Sequence, residues 1–154
     1  MQTSTADELA LLGLSYTYAA GIDRRDRDTF LSAFHPDAVL RAFEHGQDET
    51  PFMTRSGHEK IAVITDRIIP AMCEKTFHLV ANARFAIDGD GATGEVYGVA
   101  HHLSPSDEHG GVDVVMYMRY RDEYRRIDGE WRISLRDALT DWSETRFVDP
   151  TGSG

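Results

Sequence analysis

Apolar residues recur at helical spacing near the start of the chain. Leu11, Leu14, Tyr18 and Ile22 lie three or four positions apart, so they share one face of a helix. This spacing predicts a first helix over about Thr5–Gly21, with the glycine as its stop signal. The helix presents an apolar face to the rest of the fold and ends beside a cluster of charged residues.

The pattern then predicts a short helix and a strand. Asp26 is a suitable N-cap for a second helix over Arg27–Phe34. That helix ends before Pro36, because the residue preceding a proline avoids the α region. Ala38–Phe43 has the composition of a strand, and residues 44–55 are polar and irregular, which predicts a loop.

A third helix follows this loop. Ser56–Glu59 matches a capping box, in which the serine caps the helix and the glutamate reaches back to it. Ile61, Ile64 and Ile68 then form a core-facing stripe, and the helix is expected to stop at Pro70.

From Lys75 onward the apolar period becomes two residues, as in a strand. One face of this strand is predicted to carry Phe77, Leu79, Ala81, Ala83, Phe85 and Ile87, and the other His78, Val80, Asn82 and Arg84. Turn signals at Asp88–Gly91 and Asp128–Gly129 divide the remainder into hairpin-connected strands. These strands cover about Thr93–Leu103, Val112–Arg126 and Trp131–Asp141, with a Ser/Pro/Gly-rich loop at Ser104–Gly111.

Helices followed by hairpin-connected strands are typical of an α+β fold, with the helices on one face of a curved antiparallel sheet. We expect a single domain over residues 1–146 and a flexible C-terminal tail over residues 147–154. Several strands are apolar on both faces. We therefore expect a homo-oligomer in which another subunit covers the second face of the sheet.

Composition excludes several classes of function for this chain of 154 residues. The formal charge is −10 and the arginines are interleaved with acids, which argues against a nucleic-acid partner. The single cysteine, Cys73, fits a reducing compartment. No apolar run approaches the roughly 18–20 residues of a membrane span, and acidic residues precede the run Leu9–Leu14. We expect a cytoplasmic protein without a membrane partner.

Asp23 and His78 are the first candidates for chemistry. Asp23 follows the apolar stripe of the first helix, and Asp26 is already the better cap, so Asp23 has no obvious structural role. The alternative is a helix-end carboxylate that pairs with a nearby arginine. A carboxylate next to an imidazole fixes its tautomer and stabilises the imidazolium, while the other ring nitrogen takes a proton. A histidine in a sheet is otherwise more often structural.

Arg136 and Tyr18 are further candidates for a pocket. Arg136 lies on the last strand, on the face opposite Trp131 and Ile133, where it could stabilise an anion. It could equally be a surface arginine paired with Asp137 or Glu123. Tyr18 lies in the sheet-facing stripe, and its hydroxyl could polarise a carbonyl. An interior tyrosine of this kind is otherwise a core residue.

The remaining histidines do not form a metal-binding pattern. His101 and His102 are adjacent in a strand, so they point to opposite faces, and only one of them can face the pocket. The chain has no glycine-rich phosphate loop, nucleophile elbow or CxxC motif. We therefore expect no metal and no nucleotide cofactor.

Four segments resemble the SnoaL-like, nuclear-transport-factor-2-like superfamily. They are Tyr18–Asp26, Phe34–Ala38, Thr76–Asn82 and Tyr124–Ile133, and they span nearly the whole chain in order. The resemblance implies a cone-shaped α+β fold. That fold hosts dehydratases, isomerases, cyclases and non-catalytic subunits, so it does not by itself imply one activity.

Within the superfamily, the pattern is most similar to the scytalone dehydratase, bile-acid 7α-dehydratase and hexachlorocyclohexane dehydrochlorinase group. The resemblance implies a cofactor-free β-elimination with Asp23 and His78 as the dyad, and Tyr18 and Arg136 in contact with substrate. It further implies a homotrimer, with a dimer as the alternative, and a cyclic, largely apolar substrate. His101 or His102 would supply an additional contact. The open alternatives are an isomerase or cyclase with the same dyad and a non-catalytic binding subunit.

Overall fold

The computed structural model describes residues 4–46 and 49–149. The helices are α1 (Thr5–Arg24), α2 (Arg27–Ser32), α3 (His58–Val63) and α4 (Ile69–Met72), and a π-helical segment (Ile64–Ile68) joins the last two. The strands are β1 (Phe34–Phe43), β2 (Met53–Ser56), β3 (Lys75–Asp88), β4 (Gly91–Ser106), β5 (Gly110–Ile127) and β6 (Glu130–Val148). The helices pack on one face of a single sheet, which confirms the predicted α+β class.

The six strands have the order β2-β1-β6-β5-β4-β3. The hairpins β3–β4, β4–β5 and β5–β6 are antiparallel, as predicted from the turn signals. β1, however, runs parallel to β6, so the sheet is mixed rather than purely antiparallel. β2 pairs with β1 inside the segment predicted to be a loop, because a polar edge strand has no apolar alternation to reveal it.

The predicted stripe of α1 is buried in the core. The helix nevertheless continues past Gly21 to Arg24, so the prediction that Gly21 ends it is wrong. The glycine instead permits close packing of α2, because a Cβ at this position would lie 2.5 Å from the backbone of Phe30. Asp26 is the N-cap of α2, as predicted, and its Oδ1 accepts a hydrogen bond of 3.1 Å from the Thr29 amide.

Four predicted boundaries in the first half of the chain are wrong. α2 ends at Ser32, and β1 begins at Phe34. Gly57, with a φ of 80°, is the N-cap of α3, and no side chain caps it, so Ser56 does not form the predicted capping box. The helical path also passes Pro70, which lies in the first turn of α4 where a proline is tolerated.

A β-bulge in β3 reverses the inward face of the strand. Val80 pairs with Gly98 and Ala83 with Val96, so β3 has one residue more than β4 between these pairs. Before the bulge the inward side chains are Thr76, His78 and Val80, and after it they are Ala83, Phe85 and Ile87. Phe77 and Leu79 are therefore exposed on the opposite face, and the prediction of one continuous apolar face is wrong.

The last strand is longer than predicted. β6 continues past Asp141 to Val148 and pairs with β5 up to Gly111, because the two strands form one long hairpin. Phe147 and Val148, which were assigned to the tail, thus belong to the sheet. Residues 150–154 of the predicted tail lie outside the described residues.

Candidate active site

An apolar cavity of about 410 Å³ lies between the helices and the sheet. α1 contributes Tyr18 and Ile22, and the π-helical segment and α4 contribute Ile64, Ile69 and Met72. The sheet contributes the polar side chains His78, His102 and Thr140, together with Met53, Met116, Met118 and Tyr120. A mostly apolar wall with a few convergent polar groups is typical of a small-molecule site.

The structure brings Asp23 and His78 together at one side of this cavity. Asp23 Oδ1 lies 2.6 Å from His78 Nδ1, although the two residues are 55 positions apart in the chain. Because the carboxylate is an acceptor, Nδ1 donates its proton in this hydrogen bond. Nε2 is then the nitrogen that carries the lone pair, and the ring lines the cavity. The imidazole is 7% exposed, so it is largely shielded from bulk water.

Three donors hold the Asp23 carboxylate in place. Besides the imidazole, Oδ2 accepts 2.9 Å from the His78 backbone amide, and Oδ1 accepts 2.9 Å from the Thr76 hydroxyl. Burial disfavours the charge, but the hydrogen bonds from His78 and Thr76 outweigh it and hold the pKa of Asp23 below its ordinary value. The carboxylate is therefore ionised at neutral pH.

Arg25 links the end of α1 to the start of β3 through hydrogen bonds. Its backbone is left-handed, with a φ of 52°, and its guanidinium donates 2.8 Å to the Cys73 carbonyl and 2.6 Å to the Glu74 carbonyl. Asp23 lies close to Arg25 in α1, and His78 lies close to Glu74 at the start of β3. The two hydrogen bonds of Arg25 therefore also hold Asp23 and His78 at their observed separation. This arginine was not singled out from the sequence, since a surface charge at a helix end is common.

His102 is the member of the histidine pair that faces the cavity. Its Nδ1 lies 3.3 Å from the Val114 carbonyl, an acceptor, so Nδ1 carries the proton and Nε2 is unprotonated. Burial first, and then the nearby charge of His78, lower the pKa of His102. The two rings are 6.0 Å apart edge to face, which places a neutral imidazole beside the dyad.

His101 points to the opposite face of the sheet. Its Nδ1 lies 2.7 Å from Asp113 Oδ2, and it lines a different cavity. Sequence parity indicated that only one of the two histidines could face the pocket. The choice between them depends on the strand register, which periodicity alone does not give.

Tyr18 lines the cavity, whereas Arg136 does not. The Arg136 guanidinium is 0% exposed and stacks 4.4 Å from both the Tyr18 and the Tyr120 ring. It pairs with Asp122 through Nε and Nη2, at 2.9 and 2.7 Å, and Nη2 also donates 2.9 Å to the Ser15 hydroxyl. Arg136 thus supports the two tyrosine rings of the cavity wall.

Sequence reasoning missed Tyr120, Asp122 and the methionines of the cavity. Burial raises the pKa of both Tyr18 and Tyr120, so both hydroxyls are protonated at neutral pH. Asp122 has no local sequence signal that marks it as the partner of Arg136, because the two residues meet only through the pairing of β5 with β6. The irregularity between Glu123 and Tyr124 shifts the register of this pairing and brings Asp122 to Arg136.

The described residues contain neither a metal-binding cluster nor a membrane-spanning helix. Within residues 4–46 and 49–149, no group of three or more His, Cys, Asp or Glu side chains is placed to hold a metal ion. Over the same ranges, no helix combines the length and the apolar character needed to cross a bilayer.

The family of the chain follows from comparison with known proteins. The SnoaL-like domain matches residues 3–137, which is most of the sequence and includes Asp23, His78 and Arg136. The chain belongs to the SnoaL-like domain family. No curated protein is significantly similar to it in sequence.

Several solved structures share the fold of this chain. A type 2 hexachlorocyclohexane dehydrochlorinase (LinA) superposes with a TM-score of 0.79 at 20% identity, over 96% of this chain and 95% of that one. A scytalone dehydratase candidate from Novosphingobium aromaticivorans has a TM-score of 0.74 at 17% identity, over 97% and 95%. A protein of unknown function from Mycobacterium tuberculosis has a TM-score of 0.70 at 22% identity, over 97% and 82%. These likenesses establish the cone-shaped α+β fold expected from the sequence.

Proposed function

We propose that this SnoaL-like protein is a cofactor-independent lyase that eliminates water or another small leaving group from a cyclic, largely apolar molecule. The observation that carries the proposal is the 2.6 Å contact between Asp23 and His78 at the wall of an apolar cavity. An ionised carboxylate on Nδ1 leaves Nε2 as the basic nitrogen and stabilises the imidazolium that forms after proton transfer. The names of the dehydrochlorinase and of the dehydratase candidate agree with an elimination.

The proposed reaction needs only side chains of the chain. His78 Nε2 takes a proton from the carbon next to the one that bears the leaving group. The electrons of that C–H bond form the new double bond, and the leaving group departs with its own bonding electrons. The imidazolium then returns the proton to the departing oxygen, so water leaves and His78 is restored. Asp23 stays ionised throughout.

The polar groups are arranged for a substrate that is polar at one end. Tyr18 offers a protonated hydroxyl, and neutral His102 offers the lone pair of Nε2 to a substrate hydroxyl. The remaining wall is aliphatic, aromatic or thioether in character. Arg136 contributes indirectly in this proposal, because it holds the Tyr18 ring from behind through the stacking contact.

The test is a screen of hydroxylated steroid and polyketide ring compounds with the wild type and with His78→Ala. Product masses are measured, and His109→Ala at an exposed turn is the control. We expect loss of one water by the wild type and the control, and a rate at least about 100-fold lower for His78→Ala. Equal turnover by wild type and His78→Ala would remove His78 as the base.

The same screen separates the alternatives. An isomerase or cyclase with this dyad would give a product that has the mass of the substrate but a different retention time. The proximity of the His78 and His102 rings, at 6.0 Å, favours this variant as the second candidate, because two imidazoles can move a proton between two carbons. A non-catalytic binding subunit would give saturable binding without any product.

A further inference from the structure

A second Asp–His pair lies on the face of the sheet opposite the cavity. His101 on β4 and Asp113 on β5 are diagonal neighbours, since His101 pairs with Val115 and Leu103 with Asp113. Their Nδ1–Oδ2 distance is 2.7 Å, close to that of the first pair. The pair opens onto a surface cavity of about 430 Å³, whose other walls include Lys75, Phe77, Leu79, Leu103 and Val148.

The Asp113 carboxylate depends on one partner. It is 8% exposed, and among the described residues its Oδ1 is buried without a hydrogen-bond partner. Asp23, by contrast, receives three hydrogen bonds. A buried carboxylate with so few donors is poorly compensated, and a positive charge on the adjacent imidazole improves that compensation. A ligand that donates a hydrogen bond to the free ring nitrogen of His101 polarises the imidazole and so strengthens its hydrogen bond to Asp113.

The imidazole can accept such a hydrogen bond. Asp113 engages Nδ1, so Nε2 is free to accept a hydrogen bond, and 27% of the His101 side chain is exposed. The Phe77 ring lies 6.4 Å away in an edge-to-face arrangement, and Leu79 and Leu103 extend the apolar wall. The site thus combines a hydrogen-bond acceptor with a surface that suits a ring, and its lining also includes the oppositely charged residues Lys75 and Asp149.

We propose that the His101–Asp113 cavity binds an aromatic molecule with a weakly acidic hydroxyl, such as a phenol. The hydroxyl donates to His101 Nε2, and on full transfer the O–H bond breaks, the proton forms the Nε2–H bond and the phenolate keeps the bonding electrons. The resulting imidazolium lies between the phenolate and Asp113, and no further reactant is needed. This site is independent of the function proposed for the dyad of Asp23 and His78.

The probe is 4-nitrophenol, whose visible absorbance reports its ionisation. Because the main cavity also contains an Asp–His pair, the titration uses His78→Ala as the background. We expect saturable binding with increased ionisation in this background. Binding should weaken at least about tenfold in His78→Ala/His101→Gln, because a hydrogen bond to a charged group is lost. 4-Nitroanisole, which lacks the hydroxyl, should bind about tenfold more weakly than 4-nitrophenol.

Asp113→Asn in the same background keeps the shape of the site and removes its charge. We expect it to retain the circular-dichroism spectrum of the parent and to bind 4-nitrophenol about tenfold more weakly, with less ionised probe. Unchanged binding in either the His101→Gln or the Asp113→Asn variant overturns the proposal. A second result would also overturn it: the wild type forms an oligomer that does not bind 4-nitrophenol, and His101→Gln dissociates that oligomer. The cavity would then be a contact between subunits.

Discussion

Asp23 fixes the protonation pattern of His78, and this can be observed without a substrate. In the wild type, Nδ1 carries the proton that is donated to the carboxylate, and Nε2 is the basic nitrogen. We expect Asp23→Asn to disturb this pattern, because an amide can present its NH2 group as well as its oxygen. Nitrogen-15 NMR of labelled histidine should show the loss of the single Nδ1–H tautomer of His78.

Asp26→Asn is the matched control for that experiment. Asp26 lies three residues further along and caps α2, and asparagine caps helices about as well as aspartate. The His78 signals should therefore stay as in the wild type. An unchanged tautomer in Asp23→Asn would show that the carboxylate does not set it.

His102 gives the stability of the protein a defined pH dependence. Its pKa is lowered, first by burial and then by the charge of His78, so the unfolded chain binds this proton more readily than the native protein does. As the pH falls below the ordinary histidine value of about 6.5, the unfolded state gains protons first and the free energy of unfolding decreases. His102→Gln should make this decrease shallower.

The measurement is chemical unfolding at pH values from about 7.5 to 5.5, on either side of that ordinary value. Asp23 does not interfere in this window, because its lowered pKa means that its contribution is retained until the pH falls below about 4. Equal slopes for the wild type and His102→Gln would contradict the assigned direction of the shift.

At this scale, about half of the candidate site could be predicted from sequence. Asp23 stood out because a carboxylate at an apolar edge lacks a simple structural role, and His78 because an imidazole paired with a carboxylate is a simple general base. Arg136 and Asp122 could not be paired in advance, because their contact depends on a register irregularity between β5 and β6. Two residues that meet only because their strands pair in a particular register leave no local signal in composition or spacing.

At the scale of elements, two glycines of α1 should respond in opposite ways to alanine. A Cβ at Gly21 would lie 2.5 Å from the Phe30 backbone, whereas a Cβ at Gly13 would meet nothing within 4 Å. Gly21→Ala should therefore force α1 and α2 apart and destabilise the protein by about 1–3 kcal/mol. Gly13→Ala should stabilise it by up to about 1 kcal/mol through helix propensity.

Urea unfolding of the two variants beside the wild type tests both expectations. The comparison is internal, since the same substitution is made twice in one helix. A stabilised Gly21→Ala variant would contradict the close approach of α1 and α2.

The elements themselves were largely predictable, and the errors have identifiable physical causes. The stripe of α1 and the glycine turns at Asp88–Gly91 and Asp128–Gly129 are local signals, and both predictions hold. The bulge at Ala81 and Asn82 has no such local signal, because predicting it requires knowing which residues of β4 stand opposite β3. An alternation rule cannot detect one inserted residue when small apolar side chains continue the pattern.

For the molecule as a whole, the ion pair of Arg136 and Asp122 connects the helical layer to the sheet. Both side chains are 0% exposed, and Ser15 of α1 completes the contact with the strands β5 and β6. Removing one partner leaves the other charge buried and unpaired. We therefore expect Arg136→Met to lower the free energy of unfolding by about 3–5 kcal/mol.

The double variant Arg136→Met/Asp122→Leu is the informative comparison, because it leaves no unpaired charge. It should be more stable than Arg136→Met alone. Guanidinium unfolding of the wild type, both single variants and the double variant gives the coupling free energy. A double variant that is less stable than Arg136→Met would show that the remaining contacts of Asp122, such as the hydrogen bond from the Tyr124 hydroxyl, outweigh the cost of its unpaired charge.

The homo-oligomer expected from the sequence remains a prediction. Tyr97 and Trp142 are exposed on the face opposite the main cavity and do not line the His101–Asp113 cavity, and exposed aromatic residues of this kind commonly mark a contact between proteins. We expect Trp142→Lys to reduce the mass measured by sedimentation velocity. Leu9→Lys, at an exposed apolar position on α1, is the control and should leave the mass unchanged.

The methionines of the main cavity make it unusually easy to observe. The chain has five methionines, and Met53, Met72, Met116 and Met118 all line this cavity. Selective carbon-13 labelling of methionine methyl groups would thus place nearly every label of the protein within reach of a bound molecule. A methyl spectrum recorded with each candidate compound would reveal its binding before any turnover is known, and the four signals would locate it within the cavity.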